Sequence, residues 1–403
     1  MSVIKSLIKY LIVVGILALV IAVLFVAFHD SPDVKLLLKF FLFPGVLFVL
    51  LASLCYNWFD RKMFARMQNR IGPRFIQPVY DMLKLLAKED ITPEGVDKPE
   101  FDLIPAVQVV LAFLISFFVP VYLYSGVISF EGDLIFILFL LAVVGGSVFL
   151  LGWSTNNPYG LIGAGRAAVA EFSFEIPLAL SFIGSGLLAG SLQISKIAEG
   201  GYTLLELPMK AATDITELFF MIPLAILFLV AIMSATALLE KVPFDPAHAE
   251  VEIVGGWAVE ISGKKLFFTR LANFILEFSI AGLIAAIFLG SPSINDAIAG
   301  TGFTIAGFDV LFYLVNIFFF IIKTTIVVFL ITLMRTLHSR IRIDQLVRYF
   351  WRYYLPIVLL ALFSIIAFLM RDAVFFAPIN GMIAATLALL VLVLFIIFTV
   401  LKG

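Results

Sequence analysis

Charge is what this 403-residue chain has least of: Asp, Glu, Lys and Arg make up 14% of it and hydrophobic residues 63%. Soluble domains hold roughly 25% charged and 45–50% apolar residues, so that class is excluded. Cysteine is nearly absent, with Cys55 alone inside an apolar segment. One cysteine builds no disulfide framework, zinc site or iron–sulfur cluster. The three histidines (His29, His248, His338) are scattered, without metal-ligand spacing. Any redox cofactors therefore sit on partner chains. A formal net charge of -1 gives no basic face and speaks against nucleic acid. The period-2 alternation of an outer-membrane barrel is missing. No internal repeat or low-complexity tract stands out.

What is present is apolar length. Segments of membrane-crossing size run near 8–28, 36–58, 104–126, 134–152, 162–190, 216–239, 267–290, 309–334, 353–370 and 378–400. Backbone polar groups in lipid must be satisfied within the element, which selects helices. The expected fold is all-α: a polytopic transmembrane bundle of about ten spans, one integral membrane domain over 1–403. The first apolar run, 10–28, exceeds the 7–15 residues of a signal-peptide core, and no small-x-small site follows. It reads as an uncleaved anchor with Lys5 and Lys9 inside.

Orientation follows from loop Lys and Arg. Arg61, Lys62, Arg66, Arg70, Arg74, Lys84, Lys88 and Lys98 follow the second span; Arg335, Arg340, Arg342, Arg348 and Arg352 follow the eighth. The loops 127–133 and 291–308 hold no Lys or Arg. With ten spans, both basic loops and both termini fall on the cytoplasmic side. Within the first basic loop, residues 76–88 form a helix too short to span. Ile76, Val79, Tyr80, Leu83, Leu86 and Ala87 make an apolar stripe, and Asp81, Lys84 and Lys88 a polar one. Such a helix lies flat at the interface, docks on a partner, or is an ordinary loop helix.

Ionisable residues at membrane depth are costly and usually have a task. Glu171 and Glu175 are four apart in the fifth span, hence one turn apart on one helix face. Two carboxylates so placed repel each other and can share a proton. Pro177 cannot donate to the Ser173 carbonyl and loosens the helix beside them. The alternative is that they face water near a helix end. Lys323, with Asn316 seven residues earlier, lies mid-span and either exchanges protons or forms a permanent ion pair. Arg270 reads as structural, snorkelling to the interface, and Glu277 stays open. The loop 240–263 gathers Glu240, Lys241, Asp245, His248, Glu250, Glu252 and Glu260, interleaved with Val251, Ile253, Val254, Trp257, Val259 and Ile261. A solvated acidic loop and a packed one both fit that composition.

Taken in order, these segments resemble a known family. The matching stretches are Asp60-Arg61-Lys62 through Arg70-Ile71-Gly72-Pro73; Gln77-Pro78 with Asp81 and Lys84; Gly152-Trp153; Tyr159-Gly160-Leu161-Ile162-Gly163-Ala164; and Arg166 with Ser173-Phe174-Glu175. Then come Pro243-Phe244-Asp245, Glu250-x-Glu252 through Glu260, Ala272-Asn273, Lys323, Arg335 and Arg342-Ile343-Asp344-Gln345-Leu346. Over about 36–371 the chain resembles the eight-helix, quinone-chamber-type membrane-anchor subunit of respiratory complex I. It also resembles that subunit's relatives in energy-converting complexes of the nickel–iron membrane-bound hydrogenase and sulfane reductase type.

The resemblance implies a family core at 36–371 with extra spans at 8–28 and 378–400. It implies an ion or proton path through Glu171, Glu175, Asp245, His248, Glu250, Glu252, Glu260 and Lys323. Docking of the peripheral arm is expected on Arg61, Lys62, Arg66, Arg70, Asp81, Lys84, Arg335, Arg340 and Arg342. This chain would bind no metal or cofactor and catalyse no bond change. A nickel–iron site and iron–sulfur clusters are expected on hydrogenase-like large and small subunits and an iron–sulfur subunit, with antiporter-like subunits beside it in the lipid bilayer. The place is the cytoplasmic membrane of a prokaryote.

Departures refine this picture. Only Arg74-Phe75-Ile76 separates Pro73 from Gln77, where complex I members carry a longer quinone-entrance segment. His248 replaces an acidic residue, Arg270 stands where Glu is common, and Ala170 stands where Gln is common, with Glu171 added beside it. The short link resembles hydrogenase-type members, so the expected function is coupling of ferredoxin oxidation, with protons or a sulfur compound as acceptor, to H+ or Na+ translocation. A quinone-binding subunit is the alternative, and a stand-alone secondary transporter the alternative of another class.

Overall fold

The structure, a computed structural model, describes residues 39–121, 125–200, 202–205, 207, 220–290, 304–305 and 308–369. The expected terminal spans 8–28 and 378–400, with Lys5 and Lys9, lie outside the described residues. Among the described residues, eight helices are long and apolar enough to cross a membrane: Lys39–Met67, Lys98–Ser116, Asp133–Ser154, Pro158–Ala189, Met221–Leu238, Gly263–Leu289, Val315–Leu337 and Ile343–Ala367. They correspond one to one with the inner spans read from hydropathy, and the fold is all-α. The strand pairing is a two-residue contact, Thr304–Ile305 against Phe308–Asp309.

The helices are α1 (Val46–Met67), α2 (Gln77–Ala87), α3 (Lys98–Ser116), α4 (Asp133–Ser154), α5 (Pro158–Ala189), α6 (Ile194–Glu199), α7 (Met221–Leu238), α8 (Glu250–Ile253), α9 (Gly263–Phe288), α10 (Val310–Leu337), α11 (Ile343–Arg348) and α12 (Leu355–Leu369). A π-helical turn, Tyr349–Tyr354, joins the last two. Two compact units emerge. Of the described residues, those up to 129, at 260–285 and at 304–336 belong to the first; those at 130–259, 286–290 and 337–369 belong to the second.

In the first unit α1 runs to Met67, past the expected end at 58. Asp60 permits this. It is 2% exposed and accepts hydrogen bonds from Thr332 Oγ1 at 2.6 Å and Arg335 Nη1 at 3.0 Å on α10. A buried carboxylate with a charged partner and a second donor is tolerated where a bare one is not. Tyr56 hydrogen-bonds Thr324, and Phe48, Tyr56 and Phe320 surround Phe278 at 5.9 to 6.2 Å between ring centroids.

In the second unit α5 begins with an Asn157 cap, whose side chain accepts from Tyr159 N at 2.9 Å, and Pro158 at its first position. It runs on through Pro177 and ends at Gly190, φ +68, where Ser191 N bonds Gly186 O at 3.1 Å and Gly190 N bonds Leu187 O at 3.3 Å. That double bond closes the helix in a Schellman motif. Phe174 on α5, Phe244 in the following loop and Phe350 in the π turn pack together, with ring centroids 5.2 Å apart for Phe244–Phe350 and 6.3 Å for Phe174–Phe350.

Candidate functional site

The site in the second unit is organised by the end of α7. Lys241 N bonds Thr236 O at 3.1 Å and Glu240 N bonds Ala237 O at 3.0 Å, again a Schellman ending. Glu240 occupies the left-handed position at φ +49, where glycine is the low-energy choice. A glutamate there costs roughly 1–2 kcal/mol of backbone energy. Such a cost at one residue points to a functional side chain. The carboxylate is fully engaged: Trp257 Nε1 donates to Oε1 at 3.2 Å, and His248 Nε2 lies 2.8 Å from Oε2. The His248 ring also packs against Trp257, 5.0 Å between centroids and tilted by 47°.

Two glycines let the backbone and Cβ of Trp257 approach closely. A Cβ at Gly163 of α5 would stand 2.4 Å from Trp257 N, and one at Gly152 of α4 would stand 2.8 Å from Trp257 Cβ. Small residues let backbones approach at this distance. The loop turns inward through Val254 (φ +60), Gly255 (φ +124) and Gly256 (φ +66). Phe244, Ile253 and Trp257 are buried, so the loop is packed and the solvated reading is set aside.

Asp245 sits deeper, its side chain 11% exposed, and accepts from Arg340 Nη2 at 2.6 Å. Its Oδ1 is buried without a hydrogen-bond partner. Burial pushes its pKa above the usual carboxylate range, against the pull of His248 and Arg340 and with a contribution from Glu240. Arg166 of α5 pairs with Glu252 at 2.5 Å and ties helix to loop. Glu171 feels the charges of Glu175 and Glu240. Its carboxylate occupies the space above Gly145 of α4, where a Cβ would stand 1.6 Å from Oε1.

The second unit thus assembles Glu171, Glu175, Asp245, His248 and Glu252, with Arg340 and Arg342. The side chain of Glu250 lies outside the described residues. Glu260 and Lys323 belong to the first unit. There Lys323 is buried on α10 and Glu277 on α9, near the Phe278–Phe320 contact. Arg61, Lys62, Arg66, Arg70, Asp81, Lys84 and Arg335 also lie in that unit. Arg61 donates to Asp81 at 2.6 Å and Gln77 donates to it at 2.9 Å. Burial works against Asp81's ionisation, but the hydrogen bonds from Arg61 and Gln77 prevail and hold it below the usual carboxylate range. With Asp81 turned to α1, the α2 stripe is presented outward: Ile76, Val79, Tyr80, Leu83 and Leu86 are exposed. Arg335 and Arg340, expected at the docking surface, are paired with Asp60 and Asp245. Arg342 is exposed and pairs with Asp344 at 3.3 Å.

Sequence reasoning assigned no role to Glu240 or Asp60. The signal for Glu240 was its position: the first carboxylate after a span, ahead of Pro243-Phe244-Asp245.

The family described as NADH dehydrogenase matches residues 38–367. The H-type subunit of NADH-quinone oxidoreductase from Bacillus thuringiensis (strain Al Hakam) is 35% identical over 340 residues, covering 81% of this chain and 93% of the relative. Its counterpart from Bacillus anthracis (strain CDC 684 / NRRL 3495) matches with the same figures: 35% over 340 residues, 81% and 93%. Among solved structures, the membrane-bound sulfane sulfur reductase, an archaeal respiratory membrane complex, aligns with a TM-score of 0.66 at 24% identity, over 79% of this chain and 96% of that one. That last likeness is one of fold.

Proposed function

Since this chain belongs to the NADH dehydrogenase family and is a membrane subunit of a complex-I-like respiratory complex, we propose that it anchors the peripheral redox arm and couples electron transfer there to H+ or Na+ translocation. The observation that carries this reading is Glu240. It stands in a strained position between Glu171 of a membrane span and His248 of the loop. Charge that changes on a docked subunit beside the loop alters the proton affinity of Glu171 and Glu175 through it. Coupling of about 1–3 kcal/mol between two such sites suffices to bias a proton's position. Asp245, Glu250, Glu252 and Glu260 extend the path along the loop, and Lys323 passes the change toward neighbouring antiporter-like subunits.

Arg61, Lys62, Arg66, Arg70, Asp81, Lys84, Arg335, Arg340 and Arg342 form the cytoplasmic platform for hydrogenase-like large and small subunits and an iron–sulfur subunit. Those partners carry the nickel–iron site and the iron–sulfur clusters, in the cytoplasmic membrane of a prokaryote.

The donor in this reading is ferredoxin and the acceptor is protons or a sulfur compound. The link from Pro73 to Gln77 supports it. Gln77 N bonds Arg74 O at 3.1 Å, and Pro73 O accepts from Trp58 Nε1 and Lys62 Nζ, each at 3.4 Å. The link is a turn held against α1, with no spare chain to line a quinone entrance. A quinone acceptor is the second reading, favoured by the curated relatives, which are subunits of NADH-quinone oxidoreductases.

Glu175→Gln tests the function, since it keeps the shape and removes the titration. In membrane vesicles it should lower ion pumping and coupled turnover while the detached arm continues electron transfer. Pumping at the wild-type rate and ion-to-electron ratio would make Glu175 structural. Activity in the same vesicles should persist without added quinone; stoichiometric quinone binding reverses the order of the two readings.

A further inference from the structure

The π turn Tyr349–Tyr354 has two sides. Leu355 N bonds Phe350 O, five residues back, and Pro356 beside it has no N–H to give the preceding turn. The inner side is Phe350, buried against Phe244 and Phe174. The outer side carries Arg348, Trp351 and Arg352, all exposed. Of the second unit's described arginines, Arg166, Arg340 and Arg342 pair with Glu252, Asp245 and Asp344. Arg348 and Arg352 have no carboxylate partner among the described residues, and Arg352 lies 5.8 Å from the ring centroid of its neighbour Tyr353. Residues 345–369 hold these two arginines and no Asp or Glu. Beyond the turn, α12 packs on α5 and α7, with Leu362 against Gly184. Val358, Ala361, Leu362 and Ile365 are buried, which leaves Leu359, Phe363 and Ile366, spaced four and three apart, on one exposed face. Of the eight spans this is the least enclosed, with 28% of its most apolar stretch buried. Trp351, 48% exposed, stands where the charged turn meets the apolar face.

We propose that the outer side of this turn binds an anionic phospholipid. Arg348 and Arg352 hold the phosphate, Trp351 lies at the glycerol level, and an acyl chain runs along Leu359, Phe363 and Ile366. Guanidinium presents paired donors that match phosphate oxygens. Indole rings favour the headgroup level, where one edge is wet and the other apolar. An apolar partner chain seated here would strand both charges, at the cost of burying them unpaired. A zwitterionic headgroup brings its own cation to the arginines, so the site selects net negative charge. The proposal does not depend on the coupling function. The lipid braces from outside the turn that Phe350 fixes to Phe244 from inside, with ring centroids 5.2 Å apart.

Fluorescence quenching of the whole complex in nanodiscs of phosphatidylcholine tests this. Phosphatidylglycerol brominated on its acyl chains is added in increasing proportion, and the Trp351 signal is the difference between wild type and Trp351→Phe. Brominated phosphatidylglycerol should quench that signal at a several-fold lower mole fraction than brominated phosphatidylcholine, and inorganic phosphate should not relieve the quenching. Arg348→Gln and Arg352→Gln should each raise the mole fraction needed by about fivefold. The double variant Arg348→Lys with Arg352→Lys, which keeps the charge without the paired donors, should retain part of the preference. Both arginines are exposed and unpaired, so the variants should unfold at the wild-type temperature. Equal quenching by the two lipids makes this face an ordinary lipid contact and overturns the site. Quenching by neither shows a partner chain over the turn and overturns it too. Relief by inorganic phosphate overturns the lipid as occupant.

Discussion

Removing Arg340 puts the electrostatics of the loop to a quantitative test. Asp245 lies 11% exposed with one oxygen 2.6 Å from Arg340 and the other without a hydrogen-bond partner. Stripping the partner from a buried charge costs about 3–5 kcal/mol when both are enclosed. Arg340 itself is 38% exposed, so water replaces part of what it supplies and the expected cost falls to about 1–3 kcal/mol. A ceiling comes from protonation: neutralising a carboxylate of ordinary pKa about 3.9 costs about 4 kcal/mol at pH 7 and about 1.5 at pH 5. The sign follows from linkage. Asp245 binds its proton more readily folded than unfolded, so the stability it contributes is complete below about pH 3.9 and is lost as pH rises toward its raised value. Arg340→Ala carries that value higher and extends the loss to more alkaline pH. The variant should be destabilised by about 1–3 kcal/mol at pH 8 and by under about 1 at pH 5. Adding Asp245→Asn, which removes the charge, should recover most of the difference at pH 8. Thermal unfolding of the purified complex at the two pH values measures this. An equal loss at pH 5 and pH 8, or no recovery in the double variant, would refute the reasoning.

Two further substitutions probe packing. Gly163→Ala places a Cβ 2.4 Å from the Trp257 backbone and should cost about 1–3 kcal/mol, whereas Gly165→Ala on the same helix, with nothing within 4 Å, should be neutral or slightly stabilising, both read by thermal unfolding. Lys265 is 6% exposed, with its ammonium 2.8 Å from Asp102, 3.6 Å from Asp90 and 4.4 Å from the Phe101 ring centroid. Lys265→Met should release residues 88–98 to faster proteolysis, and Lys265→Arg should restore part of the protection.

Hydropathy revealed the inner spans because bilayer thickness sets their length and lipid removes the alternatives. It misplaced the end of α1 for an equally physical reason. Asp60, Arg61, Lys62 and Arg66 read as a loop, since charge normally closes a span. The helix continues because Thr332 and Arg335 meet Asp60 from far along the chain, a partnership no local window contains. The amphipathic helix at 76–88 was legible from its stripe, found as Gln77–Ala87. That its apolar side faces outward was not, because the choice depends on Arg61 reaching Asp81. The acidic residues of the loop could be named from sequence, but their grouping could not. Glu240, His248 and Trp257 meet only because α7 ends in a left-handed turn at a residue other than glycine.

That turn also explains why apolar residues interleave the charges of this loop. In water, two unit charges 4 Å apart interact by about 1 kcal/mol; at the effective dielectric of a protein surface the figure is about 4. A solvated acidic loop would screen each carboxylate from the next, and charge on a docked partner would go unread. Burial of Phe244, Ile253 and Trp257 excludes water around Glu240 and Asp245, while Glu252 stays half exposed and paired with Arg166. The loop thus has a wet rim and a dry floor. In the proposed coupling the rim senses outside charge and the floor carries it toward Glu171. Gly152 and Gly163 make the floor possible, since without their close approach Trp257 could not be seated on α4 and α5. In the proposed coupling the glycines therefore matter as much as the carboxylates, and a methyl group at Gly163 should disturb coupling through Glu240 without touching a titratable atom.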